Sequence, residues 1–542
     1  MSNMAGKAYA MNVVTPSNPK ITWINRLLFM ASRGLPANLM GFLGLSLIHF
    51  ARWVIIKPKD WPDLGQGMNI FTTSFRVLLV WGQGLLSLIR LIGLGIGAAT
   101  KGGAIGKNIA AAFGQTVNQR HAASVLRAFW PNLVLKRSFV KAYENNGTAI
   151  ITRHNDCLDV LNRDADFEVV YGSRMRKLTG GNNFFLGMQP GWDYTRDTSA
   201  MHLAMRRSDV AKIILPRAQS LAKDLVANTN GQIDLPADLT LRVLWDMTDT
   251  YFGTGGPDAA TMQDWATILF WYLFEDLAAD PNFETKALDY AEQMRRYLDD
   301  AIADRKANPI RAEDVLNRCL ALQSVDTPGM DDLGIRNNLL GLLIGAIPTI
   351  SKACCYAMDE LLNRPDALRS AHQAAIAGND DLMAQYIWEA LRFKPHNPVI
   401  YRRATRDTVV ARSTLRRAKI KKGTMVFTTT LSAMFDLHAI HAPNDFRTER
   451  SWGDYIIWGY GMHTCFGAAI NRAIIPAILK PVLAQKNLRR AMGSAGQIDT
   501  QGTHTRNTPI WNSMSIRHKR PWGHTVIRPQ DPRHFARFPC FD

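Results

Sequence analysis

The residues whose types and spacing carry the most legible chemistry run Trp458-Gly459-Tyr460-Gly461-Met462-His463-Thr464-Cys465-Phe466-Gly467. A cysteine sits in a glycine-framed loop that leads straight into an apolar stretch, Ala468 to Leu483, with the composition of a helix. Glycines at 459, 461 and 467 allow tight bends and close approach of the backbone to a flat ligand. A thiolate at the N-terminus of the following helix is favoured by the macrodipole and by free N–H groups. These are conditions for a cysteine that ligates haem iron and pushes electron density into it. The competing reading is a buried structural cysteine in a turn.

The loop, with Trp458 in its aromatic slot, resembles the haem-binding loop of the cytochrome P450 superfamily. Other segments match that family in the same order. Glu389 and Arg392, at i and i+3 within Trp388-Glu389-Ala390-Leu391-Arg392, share a helix face and can form a charge-assisted pair. They are similar to the family's Glu-x-x-Arg, and Arg450 is the expected third member. Arg402, within Arg402-Arg403-Ala404-Thr405-Arg406-Asp407, resembles the arginine that reaches a haem propionate. Gly191-Trp192-Asp193-Tyr194-Thr195-Arg196 is similar to the family's helix C, which assigns Arg196 to a propionate with Trp192 on the same face. His463 is a further propionate ligand by this resemblance. Two buried carboxylates need cationic partners to offset their desolvation. The implied cofactor is haem b, iron protoporphyrin IX, with the Cys465 thiolate as axial ligand.

The elements that must position these residues follow the same resemblance: a mainly helical haem-thiolate fold with a small β lobe over residues 121–542. Ala149 to Thr152 reads as a strand by its β-branched content. Residues 156–162 read as a helix start with Asp156 as cap, and Asn337 to Leu362 as a long central helix ended by Asn363-Arg364-Pro365.

The central stretch departs from the family. Leu342-Leu343-Ile344-Gly345-Ala346-Ile347-Pro348-Thr349-Ile350-Ser351 keeps an alcohol at Thr349 but has Pro348 where the family has an acid. Acid and alcohol together relay the protons that heterolytic O–O cleavage consumes. A proline removes an N–H and crowds the preceding turn, which predicts a kink and a freed carbonyl able to hold water. Thr349 and Pro348 are therefore the distal-side catalytic candidates, and the small Gly345 and Ala346 leave room for substrate. Two reactions follow. One is a monooxygenase fed by a ferredoxin or flavoprotein, with Thr349, water and Ser351 supplying protons. The other is a peroxygenase or lipid-hydroperoxide-converting enzyme, which has Ile347 where proline-bearing peroxygenases carry an arginine. A non-catalytic haem sensor or carrier is a third reading.

With 542 residues, 47% hydrophobic and 20% charged, the chain is long enough for a large globular core. Its six cysteines show no paired spacing, which argues against a disulfide framework or a zinc site and for a reducing compartment. The net charge of +18 is concentrated at the start, where residues 1–120 hold twelve lysines and arginines against two acids, Asp60 and Asp63. That basic, hydrophobic extension carries two apolar stretches, within 36–56 and within 77–100. It predicts contact with an anionic membrane surface, on the cytoplasmic side and without secretion. No nucleic-acid motif accompanies the charge. The run Ile268-Leu269-Phe270-Trp271-Tyr272-Leu273-Phe274 falls where the family's pocket roof lies, which points to a small lipophilic substrate such as a fatty acid, sterol or terpene. The tail from Gly493 onward is basic, with Cys540 near its end.

Overall fold

The structure is a computed structural model that describes residues 70–100, 105–496, 498 and 509–510. The first apolar stretch and the basic tail with Cys540 lie outside the described residues. The chain divides into two compact units, residues 1–82 and 83–542, so residues 83–120 of the expected extension share a unit with the Cys465 loop.

The centre is the helix Asp332–Leu362. It starts where the Asp331 carboxylate accepts from the Gly334 N–H at 2.7 Å, five residues earlier than the apolar pattern indicates. It ends before Pro365, which opens the next helix. Apolar on nearly every face, this helix is core: helices Ala259–Phe274, Pro281–Ala307, Asp380–Phe393 and Ala468–Leu483 all pack on it. The helix continues across Pro348, which leaves the Ile344 carbonyl without its usual N–H donor.

The β lobe is a five-stranded sheet of order β1-β2-β7-β4-β3, with a separate β5-β6 hairpin. Its strands are β1 (Asn132–Leu135), β2 (Thr148–Ile151), β3 (Phe167–Glu168), β4 (Ile400–Ala404), β5 (Thr408–Val410), β6 (Ala418–Ile420) and β7 (Met425–Thr428). β2 runs parallel to β7, pairing Thr148 with Met425, and β4 runs antiparallel to β7, pairing Arg402 with Val426. Period-two alternation along β4 turns Arg402 inward and Arg403 outward, where it binds Glu168 at 2.7 Å.

Asp156 is not the helix cap. The helix His154–Asn162 starts after Arg153, which supplies no side-chain cap. Asp156 lies in the first turn and takes tertiary partners, Asn132 Nδ2 at 2.9 Å and Arg416 Nη2 at 3.2 Å. A buried carboxylate gains more from a guanidinium than from one backbone amide.

The helix Ile70–Thr100 contains the second apolar stretch. At Gly84 it crosses the helix Thr116–Phe129 so closely that a Cβ would meet the Ala128 Cβ at 2.4 Å. Its outer side stays apolar, with Ile92 55% and Ile96 62% exposed.

Candidate active site

The Cys465 loop is held by its own backbone. The Cys465 N–H donates to the Trp458 carbonyl at 2.9 Å, closing the loop on itself. Gly459 and Gly461 adopt φ of +78° and +73°, and a Cβ at Gly461 would meet the Leu161 carbonyl at 2.6 Å, so these two positions require glycine. Gly467 has ordinary φ and stands at the N-cap of the helix Ala468–Leu483. Its missing side chain leaves the approach to the sulfur open, since a Cβ there would sit 3.9 Å from Cys465 Sγ. Burial pushes the Cys465 thiol up, while the Gly467 N–H and the Asn471 side-chain amide pull it back. Asn471 Nδ2 donates to Sγ at 3.7 Å, a contact one turn into the helix that the sequence reading missed.

Trp458 does not face the cysteine's cavity. Its ring packs on Trp388 at 5.4 Å and Trp452 at 5.2 Å, tying the loop to the helix Asp380–Phe393. That helix carries Glu389 and Arg392, both fully buried. Arg392 grips Glu389 with two bonds of 2.9 and 2.7 Å and donates to the Met434 carbonyl at 2.9 Å. Arg450 joins at 3.0 Å to the same carboxylate, which also accepts from the Arg447 N–H at 3.0 Å. The structure therefore brings Glu389, Arg392 and Arg450 into one network in which two guanidinium groups share one carboxylate. Breaking such a buried set costs about 3–5 kcal/mol.

Arg402 and His463 form a second buried basic group, of a different kind. Arg402 makes one bond, to the Tyr401 carbonyl at 3.0 Å, and its Nε has no partner. His463 Nε2 is likewise buried and unpartnered. Burial and the neighbouring Arg402 push the His463 imidazole down to about 4. Burial also lowers the Arg402 guanidinium, against the pull of Tyr171 and Asp164. Buried donors without acceptors are rare in folded proteins and mark a place for an external anion.

The expected helix C lies at Trp192–Ala204, but Arg196 and Trp192 do not join this group. Arg196 is taken by Asp197 at 2.7 Å and Asp193 at 3.1 Å, and Trp192 is 70% exposed. Both line a separate polar cavity of about 940 Å³. The physical reason is helical phase: two residues are about 200° apart around the axis, so Tyr194 takes the face turned to the loop. Its hydroxyl donates to the Met462 carbonyl at 2.7 Å and its ring stands 5.3 Å from that of His463. His202, from the same helix, stacks on Phe466 at 4.3 Å.

Cys465 opens into a cavity of about 70 Å³. Across it stand Gly345, Ala346 and Ile350 of the central helix, with Leu186 and Met205 beside them. A Cβ at Gly345 would touch only Leu186, at 4.0 Å. Thr349 donates its hydroxyl to the Gly345 carbonyl, bonding back within its own helix. Pro348 lies elsewhere. It lines a different cavity of about 290 Å³, with Ser351, His396, Phe270 and Trp271. Ser351 is hydrogen-bonded to Thr240 at 2.6 Å. Of the aromatic run, Ile268, Leu269, Tyr272 and Leu273 are core, and only Phe270 and Trp271 border that second cavity.

The family model described as Cytochrome P450 matches residues 143–485. The erythromycin C-12 hydroxylase of Saccharopolyspora erythraea is 26% identical over 272 residues, covering 50% of this chain and 65% of that one, just under two thirds. The steroid C26-monooxygenase of Mycolicibacterium smegmatis is 23% identical over 351 residues, 63% of this chain and 80% of that one. A crystal structure of P450BioI bound to an acyl carrier protein carrying hexadec-9Z-enoic acid overlays with a TM-score of 0.61 at 19% identity, covering 73% of this chain and 99% of that one. The group common to the family is haem with a cysteine thiolate as axial ligand, and the residues present fit it. The Cys465 sulfur borders a cavity walled by small and apolar groups, and Arg402 Nε, an unpartnered donor, and the unpartnered His463 Nε2 suit propionates. The matched segment spans more than half of the chain and includes the buried Glu389–Arg392 pair, the inward Arg402 and the Cys465 loop, and the chain belongs to the cytochrome P450 family.

Proposed function

We propose that this protein is a monooxygenase that inserts one oxygen atom of dioxygen into a small lipophilic substrate, with electrons from a ferredoxin or flavoprotein. The observation that carries the reading is the wall of the Cys465 cavity. Leu186, Met205, Met247, Phe252, Leu342 and Ile350 line it, and among the described residues no lysine or arginine does. A site of this kind gains from burying apolar surface and offers nothing to anchor a carboxylate. That favours a neutral lipophilic substrate over the carboxylate-anchored peroxygenase reading.

Haem held by Cys465 supplies the redox chemistry. The chain's own residues do the rest. Arg402 and His463 would hold the propionates, and Tyr194 holds the Met462 carbonyl so that His463 stays in place. Gly467 and Asn471 lend hydrogen bonds to the sulfur. Thr349 holds a proton at Oγ1 on the cysteine's side of the central helix. Pro348 frees the carbonyl of Ile344, four residues earlier, as an acceptor for water.

The helix segment Arg76–Thr100 adds a membrane to this reading. It has 25 residues with a mean hydropathy of 1.8. That is a length of roughly 37 Å, against a hydrocarbon core of about 30 Å. Its exposed isoleucines and leucines fit a bilayer surface that would also supply an apolar substrate. The central helix passes the same test of length and composition, but it is two-thirds buried.

The experiment is a carbon-monoxide difference spectrum of the reduced protein. A thiolate-type band in wild type that is absent in Cys465→Ser supports the ligand, and an imidazole-type band in wild type sinks it. Turnover with NADH, ferredoxin and reductase is then compared with turnover by hydrogen peroxide. Thr349→Ala should uncouple the first, with reducing equivalents diverted to peroxide. If peroxide alone drives turnover and Thr349→Ala is silent, the peroxygenase reading replaces this one.

A further inference from the structure

A cavity of about 310 Å³ lies between the helices Ile70–Thr100 and Thr116–Phe129 and the segment around Leu431 and Phe435, away from the Cys465 site. Its polar wall is cationic. Arg90, Arg120 and Arg127 converge on it with His121, Ser87 and Ser124, and among the described residues no carboxylate lines it. Arg127 is 6% exposed and gives one nitrogen to the Ser432 carbonyl and hydroxyl, both at 2.9 Å. Arg120 lies over the rings of Phe393 and Phe435, at 4.6 and 4.2 Å, and its buried Nε has no hydrogen-bond partner. Arg90 Nη1 stands 3.3 Å from His121 Nε2, and His121 Nδ1 is 3.2 Å from Ser87 Oγ. An arginine only donates, so Nε2 accepts and Nδ1–H donates, which makes this histidine neutral.

The nearby acids do not cancel the charge. Asp436, which acts on Arg127, is already bound by Arg153 at 3.2 Å, and Glu360, which acts on Arg120, by Arg364 at 2.7 Å. Burial and the neighbouring arginines push both Arg120 and Arg127 down to about 10. A compact site with several guanidinium groups, an unfilled donor and hydroxyls at its rim has the chemistry that recognises a phosphate. Leu86 and Val117 border the same cavity, and Val117 is exposed, as are Ile89 and Ile92 on the helix that walls it.

We propose that this cavity is a binding site for a phosphate-bearing anion, either the headgroup of an anionic lipid or a free phosphate ester. The site stands apart from the reaction and from the haem. Its occupant neutralises the buried arginines and draws the two helices together. A lipid headgroup seated there would also fix how the protein is oriented on a bilayer.

The test uses the full-length holoenzyme with two probes. The first is inorganic phosphate, read as thermal stabilisation against chloride at equal ionic strength. The second is co-sedimentation with vesicles of phosphatidylglycerol, against vesicles of an uncharged glycolipid. Wild type should respond to at least one probe. Arg120→Gln and Arg90→Gln should each weaken that response about tenfold or more, the loss of a charge-assisted contact, while leaving the carbon-monoxide difference spectrum unchanged. A variant-sensitive response to phosphate assigns a soluble ester, and one to phosphatidylglycerol alone assigns a headgroup. No response to either probe, or variants that bind like wild type, overturns the proposal. Arg90 is exposed, so its variant keeps the test available if Arg120→Gln does not fold.

Discussion

Two buried basic groups flank the Cys465 loop, and they differ in one respect. Around Glu389, the donors are answered within the chain: Arg392 and Arg450 share one carboxylate, and their remaining donors end on carbonyls of Met434, His441, Ala442 and Asp445. Around Arg402, two buried nitrogens have no partner, Arg402 Nε and His463 Nε2. A closed network of this kind holds a fold together. An open one is costly to keep empty and gains when an outside anion arrives, so it reads as a binding group. In the function proposed above, the two carboxylates of haem are that anion.

The contrast breaks most sharply at Arg392. Arg392→Ala leaves Glu389 with Arg450 as its one ion-pair partner, strips the Met434 carbonyl of its donor and empties a fully buried site, and should cost about 3–5 kcal/mol of stability whether or not haem is bound. Chemical denaturation of apo and holo protein checks this, and a loss confined to the holo form would refute the assignment. Arg402→Met should act the other way. Removing an unsatisfied buried cation leaves the apo protein as stable or more so, while haem affinity falls about tenfold to a hundredfold, the value of one charge-assisted bond. Haem titration beside denaturation separates the two quantities. The smallest effect belongs to Tyr194→Phe. It removes one hydrogen bond to Met462 and should cost about 1 kcal/mol, expressed as weaker haem retention more than as lost fold.

What was legible in the sequence follows from how local each constraint is. The Cys465 loop was readable because two of its glycines are required by their own backbone, at Gly459 and Gly461. Glu389 and Arg392 were readable because i, i+3 spacing on a helix leaves little choice of geometry. Arg402 was separable from Arg403 because a strand alternates. For Arg196 and Trp192 composition alone does not give helical phase, and only the packed structure shows which face of Trp192–Ala204 meets the loop. Trp458 sat in the right slot for a reason the pattern does not encode, contact with Trp388 and Trp452. Pro348 was expected on the distal side, and it borders the cavity with His396 rather than the one at Cys465. The cationic cavity at Arg120 was invisible in the chain, since its members come from segments far apart in sequence.

The indole cluster that seats the loop has a consequence of its own. Trp458 lies 5.2 Å from Trp452 at an interplanar angle of 31°, and 5.4 Å from Trp388 at 72°. Aromatic chromophores this close and this skewed couple their electronic transitions, so together they act as one optically active unit. The protein thus carries a label-free gauge of loop seating. Near-ultraviolet circular dichroism from these three rings would fade if the loop left the helix Asp380–Phe393, while the far-ultraviolet signal of the helices stayed the same.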